Sequence, residues 1–249
     1  APRDGFALLW WGQDERGRGI VWRANGYTPA RISDHSFETS VSEIDDISDA
    51  VAYSYQEKGH SFYVISFPTG NETWAFDAAT NLWHRRAYRD TTTGVLGRHR
   101  SNCHAYYFGR HVVGDYFNGK LYSLDDTVYA DAGDIQVWLR RWRALPTGSN
   151  TLNRTFHHSV EISAEMGVGI TGTTDPSVDP EVILRWSDDG GHTWSNGHAG
   201  TLGKIGNYYN RMNWHRLGAS RDRVYELSSS AAVKVALIGA QLELTKANS

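Results

Sequence analysis

A weak internal repeat frames what this chain can fold into. An aromatic residue, an apolar one two positions on, then a small or acidic residue and a turn recur at Trp22, Trp74, Tyr122 and Tyr225. The spacings are 52, 48 and 103 residues, the last about two periods. A period of about 50 is the length of a four-stranded propeller blade with generous loops. Four strands of about six residues plus turns nearly fill it. One small sheet cannot bury both its faces, but sheets stacked face to face can, with Trp and Tyr filling the space between them. About five such periods fit the chain. The expectation is an all-β fold, a propeller-like array of about five or more antiparallel blades forming a single domain over residues 1–249. A β-sandwich is the alternative, because a weak repeat in few copies also arises from ordinary hairpins.

Composition supports short half-buried strands joined by tight turns: 10 Trp, 13 Tyr and 8 Phe stand beside 25 Gly and 2 Met. The single Cys, Cys103, excludes a disulfide framework within the chain. A net charge of −3 with both signs well mixed argues against a strongly basic nucleic-acid footprint. The longest apolar stretch, Ala231–Val233 then Val235–Ala240 around Lys234, is too short to span a bilayer. The start, Ala1-Pro2-Arg3-Asp4-Gly5, has neither an initiator Met nor a signal-peptide pattern.

Strand-like runs separated by turn residues read as meanders. Phe6–Trp11, a polar turn Gly12–Gly19 and Ile20–Arg23 form one hairpin pattern, followed by the turn Asn25-Gly26. Ser61–Phe67, Thr73–Asp77 and Leu82–Arg86 form a second group, and Cys103–Phe108, His111–Tyr116 and Lys120–Asp125 a third. The candidate helical stretches are Ser42–Asp49 and part of Asp134–Arg143.

The sharpest local motif is Ser187-Asp188-Asp189-Gly190-Gly191-His192-Thr193-Trp194, which fits Ser-x-Asp-x-Gly-x-Thr-Trp at Ser187, Asp189, Gly191, Thr193 and Trp194. It resembles the Asp-box, a hairpin-turn motif of sialidases and other propeller proteins. Its chemistry is conformational: Asp and Ser oxygens satisfy turn amides, Gly takes a positive φ, and Trp buries its ring beneath the turn. These five residues are read as structural, and Asp77–Trp83 and Asp125–Tyr129 echo the motif loosely. A sialidase-type enzyme would also need an arginine cluster, a Tyr/Glu nucleophile pair and an acid Asp, for which there is no local signature.

Other candidates have plainer readings. His99, His104, His111 and the pair His157-His158 lack metal-ligand spacing and read as polar-tipped aromatics in strands and turns. Arg98-His99-Arg100 and Arg140-Arg141-Trp142-Arg143 could contact phosphate or stack on bases, but a strand with a basic solvent face explains the second run more simply. Cys103 has no basic neighbour to activate it. Gly167–Gly172 lacks the ending of a phosphate loop. No catalytic, cofactor-binding or metal residue is assigned.

Several stretches taken in order resemble a known family. They are Arg31-Ile32-Ser33, Ser48–Tyr55, Gly59–Pro68, Thr73–Asp77 with Leu82-Trp83-His84, Gly114–Tyr122 and Leu184–Trp194. Together they look like the packaged-DNA stabilisation proteins of short-tailed bacteriophages, the P22-like tail hub or nozzle proteins. The resemblance implies a non-enzymatic virion protein of the tail, assembled in the bacterial host cytoplasm. It implies a homo-oligomeric ring, typically of six copies, below the portal and its adaptor. It also implies contacts with the tail needle or tailspikes, a DNA channel that helps retain the genome, and no cofactor. Proteins of this family are usually longer, so the chain is expected to be an excerpt or a trimmed form. A slightly acidic chain suits a conduit that touches DNA weakly and transiently. The alternative from another class is a carbohydrate-active or glycan-binding propeller, suggested by the single Asp-box.

Overall fold

The computed structural model describes residues 8–14, 17–142, 144–145, 153–172 and 176–247. The chain divides into two compact units, Ala1–Asp126 and Thr127–Ser249.

In the first unit, β1 (Leu9–Asp14), β2 (Gly17–Asn25) and β3 (Thr28–Arg31) form a three-stranded antiparallel sheet in chain order. Helix α1 (His35–Ser42) follows. A five-stranded meander comprises β4 (Val51–Glu57), β5 (His60–Phe67), β6 (Glu72–Asp77), β7 (Leu82–Arg89) and β8 (Leu96–Arg98). A third sheet holds β9 (Ser101–Tyr107), β10 (Arg110–Asp115) and β11 (Leu121–Leu124), ordered β11-β10-β9.

Strand β5 explains how these sheets stack. Its sequence HSFYVISF is apolar without clean alternation because both faces are covered. Tyr63, Ile65 and Phe67 join Val21 of β2, Phe37 and Val41 of α1, and Trp74 and Phe76 of β6 in one core. On the opposite face Val64 packs with Tyr55 and Ala75, flanked by Tyr53, Phe62 and Leu124 of β11. The five-stranded sheet is thus the middle layer of a stack of blade-like meanders, with aromatics between the layers.

The turns follow local chemistry. β4–β5 and β9–β10 are joined by the two-residue loops Lys58-Gly59 and Phe108-Gly109, all four residues with positive φ. That is the turn whose twist matches antiparallel strands. Helix α1 is capped by Asp34, whose carboxylate accepts from Phe37 N at 2.8 Å. Phe37 and Val41 form its buried stripe, and Ile44 just past its C-cap joins the same core.

In the second unit, β12 (Ala130–Asp131) pairs with β13 (Asp134–Ile135). β14 (Trp138–Arg141), β16 (Glu181–Ser187), β17 (His198–Thr201) and β20 (Val224–Ser229) make a sheet ordered β14-β20-β16-β17. In a second sheet β15 (Thr155–Ala164) pairs with β18 (Met212–His215), β19 (Ala219–Ser220) and β21 (Leu237–Lys246). A 3-10 turn spans Pro176–Val178. Val160 and Ile162 of β15, with Met212 and Trp214 of β18, meet Val182 and Leu184 of β16 and Tyr225 and Leu227 of β20 in one core. This is a two-sheet sandwich. The blade stack and the sandwich, weighed as alternatives for a single domain, divide between the two units.

Several sequence expectations change. The polar stretch Gly12–Gly19 is not all turn: Gly12 pairs with Ile20, Gln13 with Arg18 and Asp14 with Gly17, past a register shift between Gly12 and Gln13. Polar composition does not stop a ladder that a bulge can re-register. Phe6 lies outside the described residues. The helix ends at Ser42, where the expected one begins, because the cap is Asp34 and the stripe starts at Phe37. Asp134–Arg143 supplies strands β13 and β14, and Arg143 lies outside the described residues. Of the repeat, Trp22, Trp74 and Tyr122 fall one in each sheet of the first unit, whereas Tyr225 belongs to β20 of the sandwich. The longest of the three spacings therefore joins two different architectures.

Candidate functional site

The motif residues converge on the hairpin turn between β16 and β17, in the sandwich. Ser187, buried at the end of β16, donates from Oγ to Asp189 Oδ1 at 2.6 Å and accepts from Gly191 N at 2.8 Å. Asp189 accepts from Thr193 N at 2.9 Å and from Thr193 Oγ1 at 2.6 Å. These donors, Ser187 foremost, hold the Asp189 carboxyl far below the usual carboxylate range. Gly190 and Gly191 have φ of 73° and 103°, a region that a side chain rarely enters. Trp194 Nε1 donates to Gly191 O at 3.1 Å.

The turn is fastened on both faces of its sheet. On the outer face Glu226 of β20 stands directly opposite Arg141 of β14 and Arg185 of β16. Its side chain is fully buried, while those of Arg141 and Arg185 are 53% and 37% exposed. Arg141 Nε donates to Oε2 at 2.7 Å, Arg185 Nε to Oε1 at 2.9 Å, and Arg185 Nη2 also bonds Oε1. The Trp194 ring lies 4.9 Å from the Arg141 guanidinium and 5.6 Å from that of Arg185.

On the core face Arg223, buried, grips Asp188 of the turn with two bonds of 2.6 and 2.7 Å and rests over Trp186 and Tyr225. Tyr225 OH is 2.8 Å from His157 Nδ1, and Ser220 Oγ is 3.1 Å from His157 Nε2. Burial, then the Arg223 charge, pushes the His157 imidazole down to about 4, and burial raises Tyr225 to about 12. Arg141, Arg185 and Arg223 thus lie around one turn, and each guanidinium is bound to a carboxylate of the protein itself.

In the first unit the basic cluster stacks on the protein's own rings. Arg98 lies 3.4 Å from the Tyr116 centroid and Arg100 3.7 Å from that of Tyr88. His99 Nδ1 and Tyr53 OH each lie 2.6 Å from Ser101 Oγ, and burial pushes His99 down to about 4. His104 and His111 touch each other. Among the described residues no three His, Cys, Asp or Glu gather as a metal would require. No described helix is long and apolar enough to cross a membrane. Asp77 accepts from Ala79 N at 3.0 Å and Thr80 Oγ1 at 2.9 Å, an Asx turn that accounts for the loose echo of the motif. Sequence reasoning missed Glu226, Asp188 and Arg223. The signal available was a Glu in a strand otherwise bound for the core, opposite two arginines.

A stack of blade-like meanders in one unit and a two-sheet sandwich in the other define the class: an all-β protein of two β architectures. Comparison with protein families narrows the class to phage structural proteins. Residues 3–129 match the family model described as bacteriophage P22 Gp10, beta-propeller, and residues 138–245 match bacteriophage P22 Gp10, beta-sandwich. The chain belongs to the P22 Gp10 family, the packaged-DNA stabilisation proteins. The first match ends at residue 129, within a few residues of the Asp126–Thr127 boundary between the two compact units. A search of curated proteins finds no match.

Proposed function

We propose that this chain is a non-enzymatic building block of the phage tail hub or nozzle, acting through assembly contacts. The observation that carries the reading is the pair of family matches, propeller then sandwich, in order along nearly the whole chain. In this reading copies form a homo-oligomeric ring below the portal and adaptor, with six the stoichiometry to test. The ring meets the tail needle or tailspikes, extends the DNA channel and helps retain packaged DNA. The net charge of −3 supports a lumen that touches DNA weakly. Ser187, Asp189, Gly191, Thr193 and Trp194 serve as a structural Asp-box. Their bonds close on one another, and the neighbouring arginines are occupied by Asp188 and Glu226.

Cosedimentation of the purified chain with portal–adaptor complexes tests the proposal. Saturable binding supports it; no binding at high concentration contradicts it. The glycosidase alternative rests on the same turn, and hydrolysis of a fluorogenic sialoside above a boiled control would restore it.

A further inference from the structure

The seam between the β4–β8 sheet and the β9–β11 sheet carries two histidines in direct contact. His104 Nε2 of β9 lies 3.0 Å from His111 Nδ1 of β10, with the rings stacked 5.2 Å apart. A hydrogen bond between two imidazole nitrogens needs one donor and one acceptor. The pair can therefore hold at most one ring as a cation while the bond exists.

The surroundings leave a second positive charge uncompensated. From β4, Tyr53 lies against His104, and Tyr55 packs 5.6 Å from His104 and 5.3 Å from His111. From β5, Phe62 stacks on Tyr55, with His60 beyond it bound to Asp77. From β7, Arg86 donates to Tyr55 OH at 2.6 Å and sits over the Tyr55 and Phe62 rings, adding a fixed positive charge, and His84 stands against Phe62. From β9, Tyr106 covers His111, and Ser101 holds His99 and Tyr53. β11 contributes Leu124. At the end of the seam Lys58 pairs with Asp126. Among the described residues no carboxylate lies within ion-pair distance of His104 or His111. Burial, then the His111 charge, holds the His104 imidazole below its ordinary range.

We propose that His104 and His111 form a proton-operated latch on this seam, closed while at most one ring is charged and open once both are. Acid adds protons to the pair, and the second enters only by breaking the N···N bond and placing two cations beside Arg86. The Tyr53–Ser101 bond, between two hydroxyls, holds as pH falls, so opening is local to the edges of β4, β9 and β10.

Hydrogen exchange on the full chain tests this. Between pH 7.5 and 5.5, after correction for intrinsic exchange rates, peptides covering β4, β9 and β10 should lose protection by about tenfold, the equivalent of one pK unit of coupling. Peptides covering β6 should hold. His111→Phe keeps a ring in the seam and removes the second site of charge, so its protection should stay flat. The proposal is overturned if the wild type shows no such loss, or if His111→Phe loses protection as the wild type does. Should that variant not fold, an NMR titration of the wild-type imidazoles decides. Coupled, two-step curves for His104 and His111 support the latch, and independent single steps near the ordinary value overturn it.

Discussion

Replacing Glu226 by Gln asks whether the carboxylate beneath Trp194 is a brace or the remnant of a catalytic site. Glutamine keeps the shape and an acceptor oxygen but removes the charge that faces Arg141 and Arg185. A hydrogen bond to a charged group contributes about 1.5–3 kcal/mol, and breaking a wholly buried ion pair costs about 3–5 kcal/mol. Here only the carboxylate is buried. Both arginines reach solvent and regain part of their hydration, so the lower end applies and the expected loss is about 2 kcal/mol. For a domain of this size that lowers the melting temperature by about 8 °C. Thermal unfolding should be read beside hydrogen exchange in β14, β16 and β20, which assigns the loss to the sandwich. In a double-mutant cycle Arg185→Ala should add little once Glu226 is Gln, giving a coupling of about 1 kcal/mol or more. A carboxylate held for catalysis behaves in the opposite sense, since functional sites commonly sacrifice stability. If Glu226→Gln is as stable as the wild type or more so, the bracing role is refuted.

Acid should weaken the sandwich through His157. Its imidazole is buried neutral, with a folded value of about 4 against an ordinary 6.5. The stability that this provides is fully present above about 6.5 and is lost as pH falls toward 4. The urea midpoint of the second unit should therefore drop between pH 7.5 and 5, and a flat profile contradicts the network. Gly169→Ala should be strongly destabilising, because its Cβ would lie 2.3 Å from Val178 O and 3.0 Å from Lys204 Cα, backbone atoms that cannot step aside. Gly109→Ala meets nothing within 4 Å and should cost only the positive-φ penalty of about 1 kcal/mol, so urea titrations of the two variants should separate them clearly.

Three strands of the middle sheet were legible because β5 and β6 carry dense apolar runs and β7 opens on Leu82-Trp83, each between plain turn signals. The hairpin that pairs Leu9–Trp11 with Val21–Arg23 was legible too, but its extension through Gly12–Asp14 and Gly17–Ile20 was not, since backbone ladders form across polar residues that carry no periodicity. The helix precedes the expected Ser42–Asp49 stretch because its buried stripe is Phe37 and Val41 and its cap is Asp34. The repeat at Trp22, Trp74 and Tyr122 reported real blades, yet Tyr225 shares only its composition, because sandwich and blade strands use the same aromatic chemistry. The five motif residues were readable, since each bond lies within a few positions of the chain. Glu226 was out of reach because its partners come from strands 41 and 85 residues away.

The central claim is that this chain works by assembling. Negative-stain electron microscopy of the purified protein, alone and with portal–adaptor complexes, tests it most directly. The account predicts class averages of closed rings with an axial channel, coaxial with the portal when both are present. Isolated particles under all conditions, with the portal unoccupied, would contradict it.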